Sequence, residues 1–414
     1  MIALLLGAVV LLMFSALSEP LGRRGVTSAM AFVVAGLLAG VSSGGSLGIS
    51  LESSAVEQVT ELALVFLLFT DAARLDLAVL RRSLGWPGRL LTIGLPLTLA
   101  LGFGAGLLLF PGLPLASVFL LSAMLCATDA ALGQRVVEDP AVPGPVRQAL
   151  NVESGLNDGI AVPFFLVSMD ISLAALEGSV PSAVAGAIAE QIGWGLLAGA
   201  AVGGAGGYVL RTAAGRGWLD AQWRQPLTLA VALGAYAAAG SLGGSVFIAA
   251  FVAGMAFRLT CGAGNADTTG FTAEAGSMLA AATWMIFGSV AVLTALPHIT
   301  WQILAYAVLS LTAVRMLPVA AAMTGTGARW PTLAFMGWFG PRGLASVVFG
   351  LQAFERDIPH AATLLSTVVV TVGLSVFAHG LTAGPFVAAY HRWSAANVHR
   401  PGHGPGPAPD TSGR

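Results

Sequence analysis

Three stretches of otherwise apolar sequence carry side chains of the types that bind cations or move protons. The first, "NVESGLNDGIAVPFF", contains Glu153, Ser154, Asn157 and Asp158. A helix would place Ser154 and Asp158 on one face, four residues apart, with Glu153 and Asn157 as a parallel pair beside them. Ionisable groups inside a hydrocarbon layer cost about 2.5 kcal/mol or more, and they usually mark ion or proton paths. A hydrogen-bonded cluster that only joins helices is the alternative, but two carboxylates do not suit that role.

The second stretch is "MLCATDAALG", which contains Thr128 and Asp129. Both residue types are common at helix caps and disfavour a helix interior. A helix interrupted here would direct half-helix ends and free carbonyls into the protein interior, as in the midplane ion sites of many transporters. The alternative is a span that ends before Thr128 and leaves Asp129 as a cap at the membrane interface.

The third stretch is "MGWFGPRGLASVVFGL". Gly340, Pro341 and Gly343 disfavour regular helix around Arg342. Arginine stays charged, so in a dry interior it needs an anion, and the acids without a partner are those of the first two stretches. The alternative is an arginine that extends to the membrane surface.

The composition identifies the elements that must position these residues as membrane helices. Of 414 residues, 56% are hydrophobic and 9% are charged, whereas soluble domains carry roughly 25% charged residues. A polytopic all-α membrane protein is therefore predicted. The net charge of −1 gives no indication of nucleic-acid binding. Two cysteines, Cys126 and Cys261, are too few for a disulfide framework or a cysteine-rich metal site.

Thirteen apolar segments are long enough, or nearly so, to cross a bilayer. They lie near 2–17, 27–42, 56–71, 88–110, 113–135, 145–169, 182–210, 226–240, 242–258, 276–297, 300–323, 330–352 and 361–387. With the N-terminus outside, sixteen of the nineteen arginines fall on the inner side and only Arg356 falls outside. This split satisfies the positive-inside rule. The prediction is a multi-pass protein of the cell membrane with its N-terminus outside and its C-terminus in the cytoplasm.

The order of the segments predicts the domain organisation. The interrupted spans are the fifth and the twelfth, and a separation of seven spans places them at matching positions of an inverted repeat. The membrane domain is predicted over 1–392, with a first repeat over about 1–170, a linker helix over about 182–210 and a second repeat over about 226–388. The Pro- and Gly-rich segment 393–414 is predicted to be a disordered cytoplasmic tail. No soluble segment is long enough for a catalytic domain, so we do not expect an enzyme.

The three stretches together resemble the core of monovalent cation/proton antiporters, specifically the Na⁺/H⁺ exchangers of the prokaryotic NhaP type. That family has Glu-Ser, two residues and then Asn-Asp in its sixth span, matched here by Glu153, Ser154, Asn157 and Asp158. Its Thr-Asp in an interrupted fifth span and its Gly-x-Arg-Gly in an interrupted twelfth span are matched by "ATDA" and "GPRG". The resemblance implies the NhaA-like antiporter fold, with about 13 helices, inverted six-helix repeats and two interrupted, crossing helices, in a homodimer.

The resemblance also implies an activity, the exchange of Na⁺ (or K⁺ or Li⁺) for H⁺ by alternating access, with no cofactor. Asp158 would hold either the metal ion or the proton, and Thr128 and Ser154 would supply neutral oxygens to the ion. Asp129 would act on the site electrostatically, while Asn157 would hold the crossing in place. Carboxylate and hydroxyl oxygens suit a hard cation such as Na⁺. The Asn-Asp pair implies electroneutral exchange, one cation for one proton.

Two further features follow from the resemblance. Glu153 and Arg342 would form a structural ion pair. The sequence departs from the family at Ala130, where many relatives have proline, so a less sharp break is expected there. Many relatives also carry an acid after "LLF" in the third span, and "LLFTDAARLDL" offers Thr70 or Asp71 as this additional ligand.

Other functions compete with Na⁺/H⁺ exchange. A K⁺/H⁺ antiporter of the same fold is the main alternative, because the ligand types do not determine ion size. An intramembrane aspartyl protease would use Asp129 and Asp158 to share a water, but it has no role for Arg342. A channel usually places identical groups around an oligomer axis, which one polar crossing does not indicate.

Overall fold

The computed structural model describes residues 2–43, 51, 53–75, 85–177, 181–262 and 268–398, and within these ranges all regular secondary structure is helical. In chain order the main helices are α1 Ile2–Arg23, α2 Ser28–Ser42, α3 Ser54–Arg74, α4 Gly85–Leu109, α5 Leu115–Met124, α6 Ala130–Glu138, α7 Gly144–Glu177, α8 Pro181–Gly215, α9 Arg224–Ser241, α10 Val246–Thr260, α11 Gly270–His298, α12 Trp301–Leu311, α13 Ala313–Ala322, α14 Trp330–Trp338, α15 Leu344–Glu355 and α16 Ala361–Val398. Short π-helical turns interrupt α4 at Leu90–Gly94 and α11 at Phe287–Ala291.

The predicted apolar segments correspond to these helices, because each of the thirteen coincides with one helix or with one pair of consecutive helices. Within the described ranges, seven helices are long and apolar enough to cross a membrane, and four shorter ones are apolar. The number of crossings stays a prediction.

The last helix extends beyond the predicted end of the membrane domain. Helix α16 continues through Val398, so residues 393–398 are helical and not part of a disordered tail. Trp393 extends the packing of this helix by stacking on Tyr390 with 5.5 Å between ring centroids. The remainder of the predicted tail, 399–414, lies outside the described residues.

The helices pack mainly within two groups. The first group, named the flanking group here, consists of α2, α3, α8, α9, α10 and α11. The second, named the crossing group, consists of α4 to α7 and α12 to α16, and it contains all three polar stretches. The two groups meet where α11 contacts α16, where α3 contacts α7 and α15, and where α7 contacts α8 and α10.

Close helix contact in the flanking group depends on glycines of α8. Gly195, Gly199, Gly203 and Gly207 recur every four residues, so they form one stripe on the helix surface. A Cβ at any of these four positions would overlap the backbone of α10 or of the turn before it. Small residues at this spacing allow two membrane helices to approach backbone to backbone, which maximises van der Waals contact.

The crossing group contains the two predicted interruptions. Helix α5 ends at Met124 and α6 begins at Ala130, while α14 ends at Trp338 and α15 begins at Leu344. The first break is five residues long despite Ala130, so proline is not required for it. The break is stabilised instead by Asp129, whose side chain caps α6 by accepting a hydrogen bond from the Leu132 amide at 3.1 Å.

Candidate functional site

The two breaks lie against each other and satisfy each other's backbone groups. Nη1 of Arg342 donates to the carbonyl oxygens of Cys126 and Ala127, at 2.8 and 2.9 Å. The amide of Asp129 donates to the carbonyl of Pro341 at 2.8 Å. Arg342 is fully buried, so it does not extend to the membrane surface. It places a positive charge at the carbonyl end of α5, where the helix dipole is negative.

Asp129, in the first break, in turn binds the helix that follows the second break. Its Oδ2 accepts from the amide of Leu344 at 2.7 Å, while its Oδ1 caps α6. One carboxylate therefore lies at the N-termini of two half-helices, where the dipoles favour negative charge. Asp129 is only 8% exposed, so it is a buried cap and not one at the membrane interface.

The approach of Asp129 to α15 requires glycine at position 343. A Cβ on Gly343 would overlap the Asp129 carboxylate. The glycine of the "GPRG" motif thus provides space for the acid as well as interrupting the helix.

Thr128, Ser154 and Asn157 form one buried polar network. The hydroxyl oxygens of Thr128 and Ser154 are 3.2 Å apart, and Nδ2 of Asn157 donates to Thr128 Oγ1 at 3.2 Å. These contacts join the first break to α7, as predicted for neighbouring rows on one helix. Among the described residues, Oδ1 of Asn157 has no hydrogen-bond partner.

Asp158 lies on α7 at the wall of a cavity of about 330 Å³. The cavity also reaches Asp71, Arg74, Asp129 and Gln134. Oδ1 of Asp158 is buried, and within the described part of the chain it accepts no hydrogen bond. A buried carboxylate oxygen beside a cavity is suited to bind a cation or a proton, because either one compensates the lost hydration.

The acid of the third helix also reaches this cavity. Both Thr70 and Asp71 line it, but the Thr70 hydroxyl donates to the Phe66 carbonyl of its own helix. Asp71 interacts electrostatically with Asp158, as does Asp129. Of the two residues left open by the sequence, Asp71 therefore has the side chain available to a solute in the cavity.

The predicted ion pair between Glu153 and Arg342 is wrong, because Glu153 pairs with Arg315. Nη1 and Nη2 of Arg315 bind Oε1 and Oε2 of Glu153 at 2.5 and 2.8 Å. The two side chains are 2% and 3% exposed. Two parallel hydrogen bonds between a guanidinium and a carboxylate are a strong and geometrically specific contact.

The fold explains why Arg315 is the partner. The chain bends at Thr312 between α12 and α13, and Arg315 lies in the first turn after this bend. A Cβ on Gly340 would overlap the Arg315 guanidinium, so the second break leaves the space in which that group lies. Arg342, the expected partner, is committed to the carbonyls of the first break.

The sequence did not predict Arg315 as the partner of Glu153, although a signal existed. Of nineteen arginines, sixteen fall on the predicted inner side and one outside, which leaves Arg315 and Arg342 within predicted spans. Two arginines inside spans predict two buried partners. Ser375 and His379 were missed as well. Ser375 Oγ accepts from the Arg342 amide at 2.8 Å, and His379 Nε2 contacts the Trp338 carbonyl at 2.8 Å.

The site offers carboxylate, hydroxyl and amide oxygens, which are the ligands of hard cations. Among the described residues, no three His, Cys, Asp or Glu side chains are grouped to hold a metal ion. Both Asp129 oxygens bind backbone amides, which does not suit an acid that would share a catalytic water with Asp158.

The helical fold, the crossing of two interrupted helices and the buried carboxylate at a cavity define a membrane transporter of the class that binds its substrate between broken helices. The chain belongs to the sodium/hydrogen exchanger family, whose transmembrane-region model matches residues 7–389.

Curated relatives and solved structures agree with this family. Na(+)/H(+) antiporter 2 of Zygosaccharomyces rouxii is 34% identical over 155 residues, which are 36% of this chain and 19% of the relative. K(+)/H(+) antiporter NhaP2 of Shewanella oneidensis is 27% identical over 401 residues, 93% of this chain and 66% of the relative. The matched region therefore spans less than two thirds of either relative.

The fold is also that of a solved antiporter. The sodium proton antiporter MjNhaP1 from Methanocaldococcus jannaschii, solved at pH 8, superposes with a TM-score of 0.74 at 18% identity. The superposition covers 94% of this chain and 99% of that one. The predicted NhaA-like antiporter fold is thereby confirmed.

Proposed function

We propose that this protein exchanges a monovalent cation, Na⁺, for H⁺ by alternating access, with Asp158 holding one of the two at a time. The observation that carries the proposal is the buried Oδ1 of Asp158, which faces a cavity and has no hydrogen-bond partner within the described chain. An isolated carboxylate is costly to bury in its charged form, so it binds a cation or takes up a proton. The competition between the two ions couples their movements.

Other residues of the crossing have supporting roles in this proposal. Thr128 and Ser154 supply neutral hydroxyl oxygens beside the ion, and Asn157 holds Thr128 in position. Asp129 is held by the amides of two helix N-termini and acts on the cation site electrostatically. Asp71 acts as an additional ligand at the cavity wall. The cations are cargo, and no resident cofactor is proposed.

The orientation follows from the arginine distribution. The cavity is bounded by the C-terminal end of α3, with Arg74, and by Gln134 and Glu138 of α6. The positive-inside rule puts these helix ends in the cytoplasm. We therefore propose that the cavity is open to the cytoplasm in this conformation, in a homodimeric protein of the cell membrane built from inverted repeats over about 1–170 and 226–388.

K⁺/H⁺ exchange is the second candidate function. It is favoured by one observation, the alignment of the K(+)/H(+) antiporter NhaP2 of Shewanella oneidensis with 93% of this chain. The alignment with the Zygosaccharomyces Na(+)/H(+) antiporter 2 covers 36%. The donor oxygens do not discriminate, because the same oxygen ligands bind both ions.

Transport by purified protein in liposomes tests the proposal. A pH-sensitive dye inside the vesicles reports proton movement when Na⁺, K⁺ or Li⁺ gradients are imposed in turn. We expect the wild type to respond to Na⁺ and Asp158→Asn to lose the response, at least about hundredfold, while it elutes and melts like the wild type. A response to K⁺ alone would favour the second candidate.

The matched control is Asp220→Asn, because Asp220 is exposed and caps only a short turn far along the sequence from the site. It should transport normally. Ion-driven proton movement by Asp158→Asn at the wild-type rate would contradict the assignment.

A further inference from the structure

Two carboxylates, one on α3 and one on α7, connect the crossing group to the flanking group. Each lies several helical turns from the ion-site residue of its own helix. Glu61 on α3 accepts a hydrogen bond from Nε2 of Gln352 on α15, at 2.8 Å. Asp170 on α7 accepts one from Nε2 of Gln191 on α8, at 3.1 Å. In each pair one residue belongs to each helix group.

These contacts lie beyond the inner end of the cavity, away from its lining residues Arg74, Gln134 and Glu138. Gln352 follows Leu344, which binds Asp129, by eight residues, or about 12 Å along the helix. Asp170 follows Asp158 by twelve residues, or about 18 Å. Glu61 precedes Asp71 in α3 by ten residues, or about 15 Å. All three helices thus run from the ion site to the same region.

Neighbouring side chains connect the two pairs. Arg356, just after α15, is near enough to Glu61 and Asp170 to act on both electrostatically. Tyr236 of α9 donates its hydroxyl to Glu61 Oε2 at 3.1 Å, so the flanking group holds this carboxylate in position for Gln352. Each of these side chains is only partly buried, so solvent can replace the bonds when the groups separate.

We propose that Glu61–Gln352 and Asp170–Gln191 are latches that close the side opposite the cavity, and that they break when the crossing group moves to open that side. Each latch acts through a helix that carries part of the ion site, α15 from Leu344 and α7 from Asp158. Glu61 and Asp170 are therefore positioning residues, which set the balance between the two open states and do not contact the ion. The proposal rests on alternating access as proposed above.

Thiol labelling measures this balance without measuring transport. Ala273 lines the cavity on α11 and takes no part in the polar network, so Ala273→Cys reports how open the cavity is. Cys126 and Cys261 are buried, and wild-type protein gives the background labelling. The probe is a membrane-impermeant maleimide applied to both faces of membrane fragments.

Removing a latch should close the cavity more often. A hydrogen bond to a charged group contributes enough to shift a two-state balance about tenfold. In the Ala273→Cys background, we expect Gln352→Leu to lower the labelling rate at least about threefold, and Gln191→Leu to lower it in the same direction. If one of these variants does not fold, as judged by size exclusion, the other carries the test.

Two controls separate a latch from a general structural role. Asp220→Asn changes an exposed acid that caps only a short turn far along the sequence from either pair, and it should leave labelling unchanged. The exchange Glu61→Gln with Gln352→Glu reverses donor and acceptor and should restore wild-type labelling. Unchanged or faster labelling in the folded latch variants would overturn the proposal. Because no ion flux is measured, this failure is distinct from a failure of Na⁺/H⁺ exchange.

Discussion

At the scale of single residues, three buried charged side chains of the crossing are held by specific hydrogen-bond partners, in contrast to Asp158. Arg342 binds two carbonyls of the first break, and Asp129 binds the amides of two helix N-termini. Glu153 binds Arg315 through both carboxylate oxygens. Burial of a charge without such a partner is costly, so each pair limits where the two helices can lie.

The Glu153–Arg315 pair gives a prediction about stability. Removing one partner leaves a buried charge uncompensated, which costs about 3–5 kcal/mol. Glu153→Ala and Arg315→Ala should each lower the melting temperature in detergent, and the double variant should lose less than the sum of the two. Thermal melting followed by size exclusion provides the measurement.

A second double-mutant cycle, between Glu153 and Arg342, is the control for the cycle between Glu153 and Arg315. Its guanidinium is committed to the Cys126 and Ala127 carbonyls, so Glu153→Ala and Arg342→Ala should show weaker coupling than Glu153→Ala and Arg315→Ala. Stronger coupling of Glu153 to Arg342 would mean that the observed pairing is not the one that stabilises the protein.

At the scale of helices, backbone contact in the flanking group depends on one stripe of glycines. Gly203 lies against the backbone of Ala253 in α10, and a Cβ there would overlap it. Gly204 is the next residue of the same helix, and nothing lies within 4 Å of a Cβ placed on it. The two positions differ in packing but share helix, depth and residue type.

Alanine substitution at these two positions should therefore have opposite consequences. Gly203→Ala must separate α8 from α10, which costs about 1–3 kcal/mol as other overpacking substitutions do. Gly204→Ala should leave the melting temperature unchanged or slightly higher, because alanine favours helix over glycine. Equal melting temperatures for the two variants would show that α8 and α10 tolerate a wider separation.

At the scale of the whole molecule, the number of groups that change occupancy determines whether transport carries net charge. Asn157 is neutral, Glu153 is paired with Arg315, and Asp129 is held by two amides. In the proposed function, Asp158 is then the group that alternates between cation and proton. One carboxylate that exchanges one monovalent cation for one proton moves no net charge.

Exchange should accordingly be independent of membrane voltage. The measurement imposes a K⁺/valinomycin potential on liposomes at fixed Na⁺ and H⁺ gradients, after showing that K⁺ is not itself a substrate. We expect equal rates and equal end-points at all imposed voltages. A dependence on voltage would indicate a second titrating carboxylate, and Asp71 would be the first to test because it lines the same cavity.

Local sequence determined the membrane helices and the positions of both breaks. Apolar length specifies a membrane helix wherever it occurs, and the Thr-Asp and Gly-Pro-x-Gly segments disfavour helix through their own backbone and capping preferences. The proximity of Thr128, Ser154 and Asn157 was partly predictable, since helical spacing places Ser154 and Asn157 on adjacent rows and the resemblance implied that Thr128 lies beside Ser154.

Tertiary structure alone decided which distant groups meet. Glu153 and Arg315 are 162 residues apart, and their contact depends on the bend at Thr312 and on the space beside Gly340. Both Thr70 and Asp71 line the cavity, and the choice of Asp71 depended on the Thr70 hydroxyl being bonded to its own helix backbone. Such pairings depend on how the helices pack. From the sequence alone, Arg315 and Arg342 are equivalent candidates for the partner of Glu153, because both lie inside predicted membrane spans.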